Sequence, residues 1–426
     1  MRVCVVGSGG REHALTHVLG RSCDVVVTPG NPGIPGSVAV PATEIDADLY
    51  VIGPEVPLVE GLADELRAAG RLVFGPGADG ALLEGSKAWM KELLMAAEVP
   101  TAGHGSFTEL EPALRYLDTM SDLFVIKTDG LAAGKGVLVT EDRAEAEEAV
   151  RAYLSGEAFG DAGLRVVIEE GLTGPELSVL AVCDGHRAVP LAPAQDFKRI
   201  GEGDLGPNTG GMGAYSPVPV AGDDVVDAVM DRAVLPTLEE LQRRGIDYRG
   251  VLYAGLMLTP QGIKVLEYNV RFGDPEAQVV LPRLKSDLAD LLAAAAAGSL
   301  EDDPVFGDDA AVTVVCASEG YPASPRTGDP IAGIEAANAV EGVMVFCAGV
   351  VSAAEGGVGA ISAGQSSQEL VTAGGRVLNV TGQGPDLATA RERAYAGVTH
   401  IDWPGRYVRF DIAAAAVEGA SQRESA

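Results

Sequence analysis

Three residues spaced by two, Glu267, Asn269 and Arg271, lie on a run whose pattern alternates like a β-strand, Ile263 to Arg271. Strand side chains alternate between faces. A carboxylate, an amide oxygen and a guanidinium therefore share one side, with Leu266, Tyr268 and Val270 on the other. Carboxylate and amide oxygens are hard ligands suited to Mg²⁺, which takes few protein ligands and completes its shell with phosphates and water. Arg271 offers a fork that grips a carboxylate or phosphate at two points. Phe272-Gly273-Asp274-Pro275-Glu276 then turns the chain and adds two acids. By periodicity alone, an amphipathic edge strand with a solvated polar face fits this run equally well.

Cations stand elsewhere that could meet such a face. Phe124–Lys127 reads as a strand, followed by Asp129-Gly-Leu-Ala-Ala-Gly134-Lys135-Gly136 and a second strand, Val137–Thr140. A phosphate-binding loop of the G-x-x-x-x-G-K-[ST] type runs from strand to helix and carries Ser or Thr after its Lys. This loop is one residue shorter, has Gly136 at that position and runs from strand to strand. It reads as a small cationic hairpin that closes over nucleotide phosphates, or as an ordinary hairpin with an exposed Lys. Ser86 caps a helix from Lys87 to Ala97. Arg165–Glu169 and Glu176–Val179 read as strands, and their acids Glu169, Glu170 and Glu176 could reach a base or a ribose. Together these residues match a nucleotide held between two β-layers with Mg²⁺ across its phosphates. Phosphoryl transfer asks of a protein mainly positioning and neutralisation of charge.

The elements that must position this set follow the chain. Val3–Leu15 reads as strand, glycine turn and helix, a geometry that offers free N–H groups to a phosphate. Glu12 stands where the dinucleotide fingerprint requires Gly, so a nicotinamide site is disfavoured. Arg11 and His13 at the mouth of the turn point instead to a phosphate carried by a substrate. Strands at Val25–Val27, Leu49–Ile52 and Leu72–Phe74, with a helix from Glu60 to Gly70, make an open parallel sheet ending near residue 80. The region from Gln195 to Tyr215 reads as a long glycine-rich binding loop. A helix pair is expected over Asp224–Arg244 and one helix over Pro282–Gly298. Glu301–Asp309 is an acidic linker. The last third has strands at Ala311–Cys316, Val343–Phe346 and Arg376–Val380 and a helix from Asp386 to Thr399. Ala353–Ser367 reads as a mobile loop.

Composition excludes several classes. The 426 residues carry a net charge of −30, which disfavours nucleic acid and anionic membrane as partners. The five cysteines are scattered and none has metal-ligand spacing; they read as buried free thiols of a reducing cytosol. The chain enters a strand at Arg2 without a signal peptide. The run Leu288–Ala297 is too short to span a bilayer.

The runs Phe124–Val137, Glu169–Ser178, Gly206–Pro217 and Arg271-Phe-Gly-Asp-Pro-Glu-Ala-Gln278 together resemble the glycinamide ribonucleotide synthetase family of ATP-grasp ligases. The likeness extends from Gly7-Ser-Gly-Gly-Arg-Glu-His-Ala14 to Gly374-Gly-Arg-Val377. It implies an α/β and α+β architecture. An N-terminal open parallel-sheet domain would span 1–82. An ATP-grasp domain would span 83–300, with a lid subdomain about 101–172. A C-terminal α+β domain would span 309–412, and a frayed tail 413–426. It also implies ligation of glycine to 5-phosphoribosylamine at the expense of ATP, with Mg²⁺ or Mn²⁺, by a cytoplasmic monomer of purine biosynthesis without nucleic-acid or membrane partners.

By the same resemblance Lys87 and Lys127 hold ATP phosphates with Gly134, Lys135 and Gly136 closing over them, Glu169 and Leu172 flank the adenine, and Glu170 belongs to the ATP-binding set. Glu176 takes the ribose hydroxyls, and Glu267 and Asn269 bind the metal. Chemical inference adds Arg271 and Asp274 for glycine and the transferred phosphoryl group. Ser8, Gly9, Gly10 and Arg11, with Asp196 and the loop Asn208, Thr209, Gly210 and Gly211, are candidates for the amine substrate and its phosphoribosyl group. Three features depart from the family's pattern. Gly171 and Pro175 replace a bulky residue and a Glu, which implies a looser adenine pocket. Phe197 stands where His is common. Pro41–Asp48 is too short for the usual helical crossover, which implies a trimmed and rearranged first sheet. Two further readings of the same residues are an ATP-grasp carboxylate–amine ligase of altered substrate and a nucleotide sensor without turnover.

Overall fold

The first strand, Arg2–Gly7, buries both of its faces. Val3 and Val5 join one apolar cluster, Cys4 and Val6 another. Burial on both sides marks a parallel sheet covered by helices. The computed structural model, which describes residues 1–131, 136–156, 164–354 and 369–424, shows this sheet. Its order is Asp24–Pro29, Arg2–Gly7, Leu49–Ile52 and Val73–Phe74, all parallel. Leu15 and Leu19 of helix Gly10–Leu19 cover one face together with Leu288 and Leu292. Ala63, Leu66, Ala81 and Leu83 cover the other.

The short stretch before Leu49 does not rearrange the sheet. The connection crosses over with only a 3-10 turn at Ala42–Glu44. Its backbone docks on the edge strand, where Val27 N–H donates to Gly36 O and Val38 N–H donates to Val27 O, both at 2.9 Å. Those bonds satisfy the polar groups that a helix would have satisfied internally.

A second sheet, antiparallel, has the order His104–Phe107, Val166–Glu170, Phe124–Thr128, Val137–Thr140. Phe124, Ile126 and Ile168 pack on helices Leu110–Leu117 and Arg143–Leu154. The alternate residues, Val125, Lys127 and Glu169, face the other way, into a cleft. Opposite them lies a third sheet, Ala188–Pro190, Glu176–Asp184, Arg249–Thr259 and Gly262–Asn269. Gly255 pairs with Glu267 but Leu256 pairs with Val265, so Leu266 is the extra residue of a bulge. The expected alternation is corrected here. Val265, not Leu266, joins Tyr268 and Val270 in the core, and Leu266 turns into the cleft.

The fourth sheet joins parts that the sequence separates. Gln195–Asp196 and Gly213–Ser216 line up with Ala310–Ala317, Arg376–Gly384 and Val343–Cys347. The expected long loop is therefore structured, with a small hairpin, Arg199–Gly201 against Leu205–Asn208, inside it.

Three helical expectations change. Asp223–Arg243 is one rod with a π turn at Met230–Val234, where Leu235 N–H reaches back to Met230 O. Pro236 two residues on has no N–H and its ring crowds the carbonyl four residues back, which favours the wider turn. The helix expected from Pro282 begins at Leu288, capped by Asp287. Before it, Arg283 and Lys285 pair their backbone with Val305 and Gly307. Residues 414–424 form a helix rather than a frayed tail, with alanines of high helix propensity and Ala416 and Val417 packed on the core. Of the cysteines, all free, only Cys23 is partly exposed. Among the described residues no helix is long and apolar enough to cross a membrane. Gly134, Lys135 and all but the first two residues of Ala353–Ser367 lie outside the described residues.

Candidate active site

One cleft of about 1060 Å³ runs between the second and third sheets and on to the C-terminal ends of the first. At one end the sequence places a Lys on each of two elements. Ser86 Oγ accepts the Trp89 N–H at 3.2 Å and donates to Asp129 Oδ1 at 3.0 Å, so the helix start is tied to the base of the glycine hairpin. This brings Lys87 Nζ to 3.0 Å from Gly130 O. Lys127 Nζ lies 2.8 Å from Glu169 Oε1 and donates to Leu266 O at 3.1 Å. The pairing Lys127↔Val137 closes the hairpin strand to strand, with Gly136 on the cleft.

Glu169 does not present a free carboxylate to a base. Its second oxygen is 2.9 Å from Lys91 Nζ, and Lys91 is completely buried. Lys91 also donates to Thr101 Oγ1 at 2.7 Å, which donates to Val265 O at 2.6 Å. Burial alone would raise the Glu169 carboxyl, but Lys127 and Lys91 outweigh it and hold it below its usual value. Desolvation pushes the Lys91 ammonium down to about 8 despite Glu169. Glu169 is thus a link between the helix of Lys91, the second sheet and, through Lys91 and Thr101, the third. Glu170 accepts the Gly103 N–H at 2.9 Å and pairs with Lys264 at 3.2 Å.

Glu176 pairs with Lys198 at 3.0 Å, and Glu267 approaches the same ammonium at 3.8 Å. Desolvation would raise the Glu267 carboxyl, but Lys198, Lys127 and Lys87 together keep it below its usual range and ionised. Asn269 Oδ1 lies 3.3 Å from a nitrogen of Arg271, a long contact that leaves the oxygen largely open. Among the described residues no group of three or more His, Cys, Asp or Glu forms a metal cage. Glu267 and Asn269, both on the cleft, offer the hard oxygens that suit a small cation drawing the rest of its shell from phosphates and water. Burial, and then its acidic neighbours Glu276, Glu176 and Glu267, push the Asp196 carboxyl up against the pull of Lys198.

Arg271 is held by Glu84 at 2.8 Å and Glu55 at 3.2 Å. Burial would lower it, yet these acids raise it, so it stays a cation throughout. Asp274 accepts from Gln278 Nε2 at 2.7 Å and stands 3.4 Å from Arg376. Burial would raise its carboxyl, but Arg376 and Arg11 keep it low. Arg376 also donates to Gly210 O and, at 2.7 Å, to Asp274 O. Gly210 N–H donates to Tyr321 Oη at 2.9 Å. Arg11, Asn208, Thr209 and Gly210 line this end.

Gly9 N–H is already 2.6 Å from Glu12 Oε2, and Arg11 Nε is 2.6 Å from Glu12 Oε1. The Glu12 carboxylate thus takes the Gly9 N–H, and of the turn Ser8–Arg11 it is Arg11 that lines the cleft. Gly211, at φ +109°, lies behind the loop against Pro275. His13 turns away from the mouth and accepts the Cys347 N–H at 2.8 Å. Residue types alone did not single out Lys91, Glu84, Lys198, Tyr321 or Arg376. Only the Gly374–Val377 motif hinted at the last of these.

Known proteins resemble this chain along its whole length. The family model of the phosphoribosylglycinamide synthetase N domain matches residues 1–84, that of the ATP-grasp (A) domain 85–277 and that of the C domain 311–415. Phosphoribosylamine–glycine ligases of Escherichia coli strain K12 and Streptomyces coelicolor are each 47% identical to it, over 98% of this chain and 99% of theirs. The crystal structure of the phosphoribosylamine–glycine ligase of Thermotoga maritima is 33% identical, with a TM-score of 0.84 over 97% of this chain and 100% of that one. A biotin carboxylase domain from Hydrogenobacter thermophilus, 16% identical with a TM-score of 0.67 over 96% of this chain and 91% of that one, shares the fold.

Proposed function

We propose a function from one premise: the chain belongs to the phosphoribosylglycinamide synthetase family. It joins glycine to 5-phosphoribosylamine at the expense of ATP, giving glycinamide ribonucleotide, ADP and phosphate by way of glycyl phosphate. The observation that carries this reading is the meeting, in one cleft, of Lys87 and Lys127 with Glu267 and Asn269, beside Arg271 and Asp274.

The geometry supports a division of labour. Lys87 and Lys127, with the hairpin that bears Gly134, Lys135 and Gly136, neutralise the ATP phosphates. Glu170 and Leu172 border the base, and Glu176 faces the ribose. Glu267 and Asn269 hold Mg²⁺ or Mn²⁺, which when bound neutralises the phosphates and aligns the transferred group. Arg271 orients the glycine carboxylate as it takes the phosphoryl group. Asp274 accepts hydrogen bonds from the incoming amine, which attacks the acyl carbon and expels phosphate. Arg11, Asn208, Thr209 and Gly210 receive the phosphoribosyl group, with Asp196 on the wall between the two ends. Once the lid closes, water is excluded from an acyl phosphate that would otherwise hydrolyse. The enzyme works as a cytoplasmic monomer, and its units follow the divisions at 1–82, 83–300 and 309–412.

The test is ADP release with Mg-ATP, glycine and phosphoribosylamine formed in situ from ribose 5-phosphate and ammonia, each omitted in turn. Release only from the complete mixture, with glycinamide ribonucleotide found by mass, is expected. Release without glycine dependence would move the acid substrate, and binding of ATP without release from any mixture would leave a sensor.

A further inference from the structure

We propose that Leu123 sets the shape of the nucleobase pocket and hence its preference for ATP over GTP, standing where a side chain at position 171 would otherwise stand. The inference rests on the nucleotide reading of the cleft above.

Gly171 continues the pairing of the lid sheet. Phe124 lies opposite Glu170, and Gly171 N–H donates to Leu123 O at 2.9 Å. Gly171 does not have a positive φ, so its backbone does not demand glycine. Packing does. A Cβ added there would stand 2.1 Å from Leu123 Cγ, 2.2 Å from Cδ2 and 2.6 Å from Cβ. Those separations are far inside van der Waals contact, so the two positions share space for one side chain, and Leu123 has it. The gap implied by Gly171 in the sequence is filled from the neighbouring strand.

Leu123 has no part in the apolar cluster under the lid sheet, which is built on Ala113, Ile126 and Ile168. It is half-buried and lines the cleft, where Ala102, Val125, Leu172, Met257 and Leu266 provide the other apolar surface. An aromatic heterocycle presents apolar faces and polar edges, and such a slot grips the faces. A base with other edge groups must shift to find hydrogen bonds, and a full wall denies it that shift, which is specificity by exclusion. A flexible leucine side chain, held from one strand away, is thus the specificity-determining residue at this wall.

The test compares the full chain with Leu123→Ala, Gly171→Leu and the double variant. Calorimetric Kd values are measured for ATP and for GTP in Mg²⁺ buffer, with melting temperatures alongside. Leu123→Ala is expected to weaken ATP about tenfold, in line with two or so buried carbons lost, and to narrow the ATP-over-GTP ratio. Gly171→Leu alone is expected to weaken both nucleotides. Adding it to Leu123→Ala is expected to bring ATP affinity and the ratio back to within about threefold of the parent. Leu123→Ala with parental affinity and ratio would overturn the proposal. So would a double variant no better than Leu123→Ala. Should Leu123→Ala lose its cooperative melt, Leu123→Val carries the same comparison with a smaller shift. Failure of the unaltered chain to bind ATP would instead overturn the nucleotide reading itself.

Discussion

The two ends of the cleft are built on different plans. At the end proposed for the nucleotide the cations come from one stretch of chain, Lys87 to Lys127, and are tied to a buried acid: Lys91, Glu169 and Lys127 form a continuous chain of contacts at 2.9 and 2.8 Å. At the end proposed for the acceptor the partners are far apart in sequence. Arg11 and Glu55 come from helices that follow strands of the first sheet, Asp274 from the turn after the edge strand Gly262–Asn269, and Tyr321 and Arg376 from the last third. Arg376 and Tyr321 hold the 208–211 loop through backbone groups, which costs little to break. A buried ion pair broken on one side is costly. The first end is therefore preorganised by its own fold, and the second depends on how three sheets dock.

The comparison can be broken in several places. The largest effect is expected between the two ends, at the strand of Glu267 and Asn269, proposed above to hold the metal. Asn269→Leu should lower turnover by about a thousandfold, on the scale of losing one electrostatic stabiliser of the transition state. Its melting temperature should hold, because the lost amide faces the cleft. ADP release and a thermal melt decide it, and parental activity would remove Asn269 from the metal set.

Next comes Arg376→Ala, which unties Asp274 from Gly210. It should lower kcat/KM for the phosphoribosyl substrate by about a hundredfold, about 2.7 kcal/mol, while KM for ATP stays within about twofold. Equal losses for both substrates would show that the two ends are not separately built.

At the nucleotide end, Lys91→Met should cost about 3 kcal/mol of stability by leaving Glu169 with one cation, and raise KM for ATP about tenfold through Lys127. Denaturant unfolding and steady-state kinetics test this. Adding Glu169→Leu should recover only part of that stability, because Lys127 then loses its carboxylate, and should not restore KM. If Lys91→Met leaves KM untouched, the chain of contacts is structural only.

The smallest effect is expected where His13 joins the first helix to Phe346–Cys347. Desolvation, and then His17, lower its pKa from 6.5 to about 4, so the folded state holds it neutral. Between those values the unfolded chain binds a proton that the folded chain does not. The stability that neutral His13 contributes is therefore complete above pH 6.5 and is lost as pH falls toward 4. His13→Gln, which keeps an acceptor for Cys347 N–H but cannot titrate, should lose less melting temperature than the parent between pH 7 and pH 5. Parallel pH profiles would remove the joint from the account.

Legibility followed locality. The strand–glycine–strand hairpin at 124–140, the Ser86 cap and the spacing of Glu267, Asn269 and Arg271 were all readable, because each depends on residues within one or two turns of chain. The bulge at Leu266 was not readable, since it is set by the partner strand Arg249–Thr259. The turn at Ser8–Arg11 meets a related limit. Its glycines fit a phosphate, but whether a phosphate or Glu12 takes the N–H depends on where the Glu12 side chain packs, against Gly7 and Gly53.

What the chain by itself determined was the kind of chemistry. Hard oxygen donors at strand spacing, lysines beside a glycine hairpin and an acid-rich turn after the strand are properties of residue types and short-range periodicity. What only the tertiary structure decided was ownership. It decided that Glu169 belongs to two lysines, that Arg271 belongs to Glu84 and Glu55, that Arg376 reaches across from the last sheet, and that Leu123 fills the place of a side chain at 171. Each is a contest among groups distant in sequence for one small volume or one charge. Packing and desolvation settle such contests, and neither has a signature in local spacing.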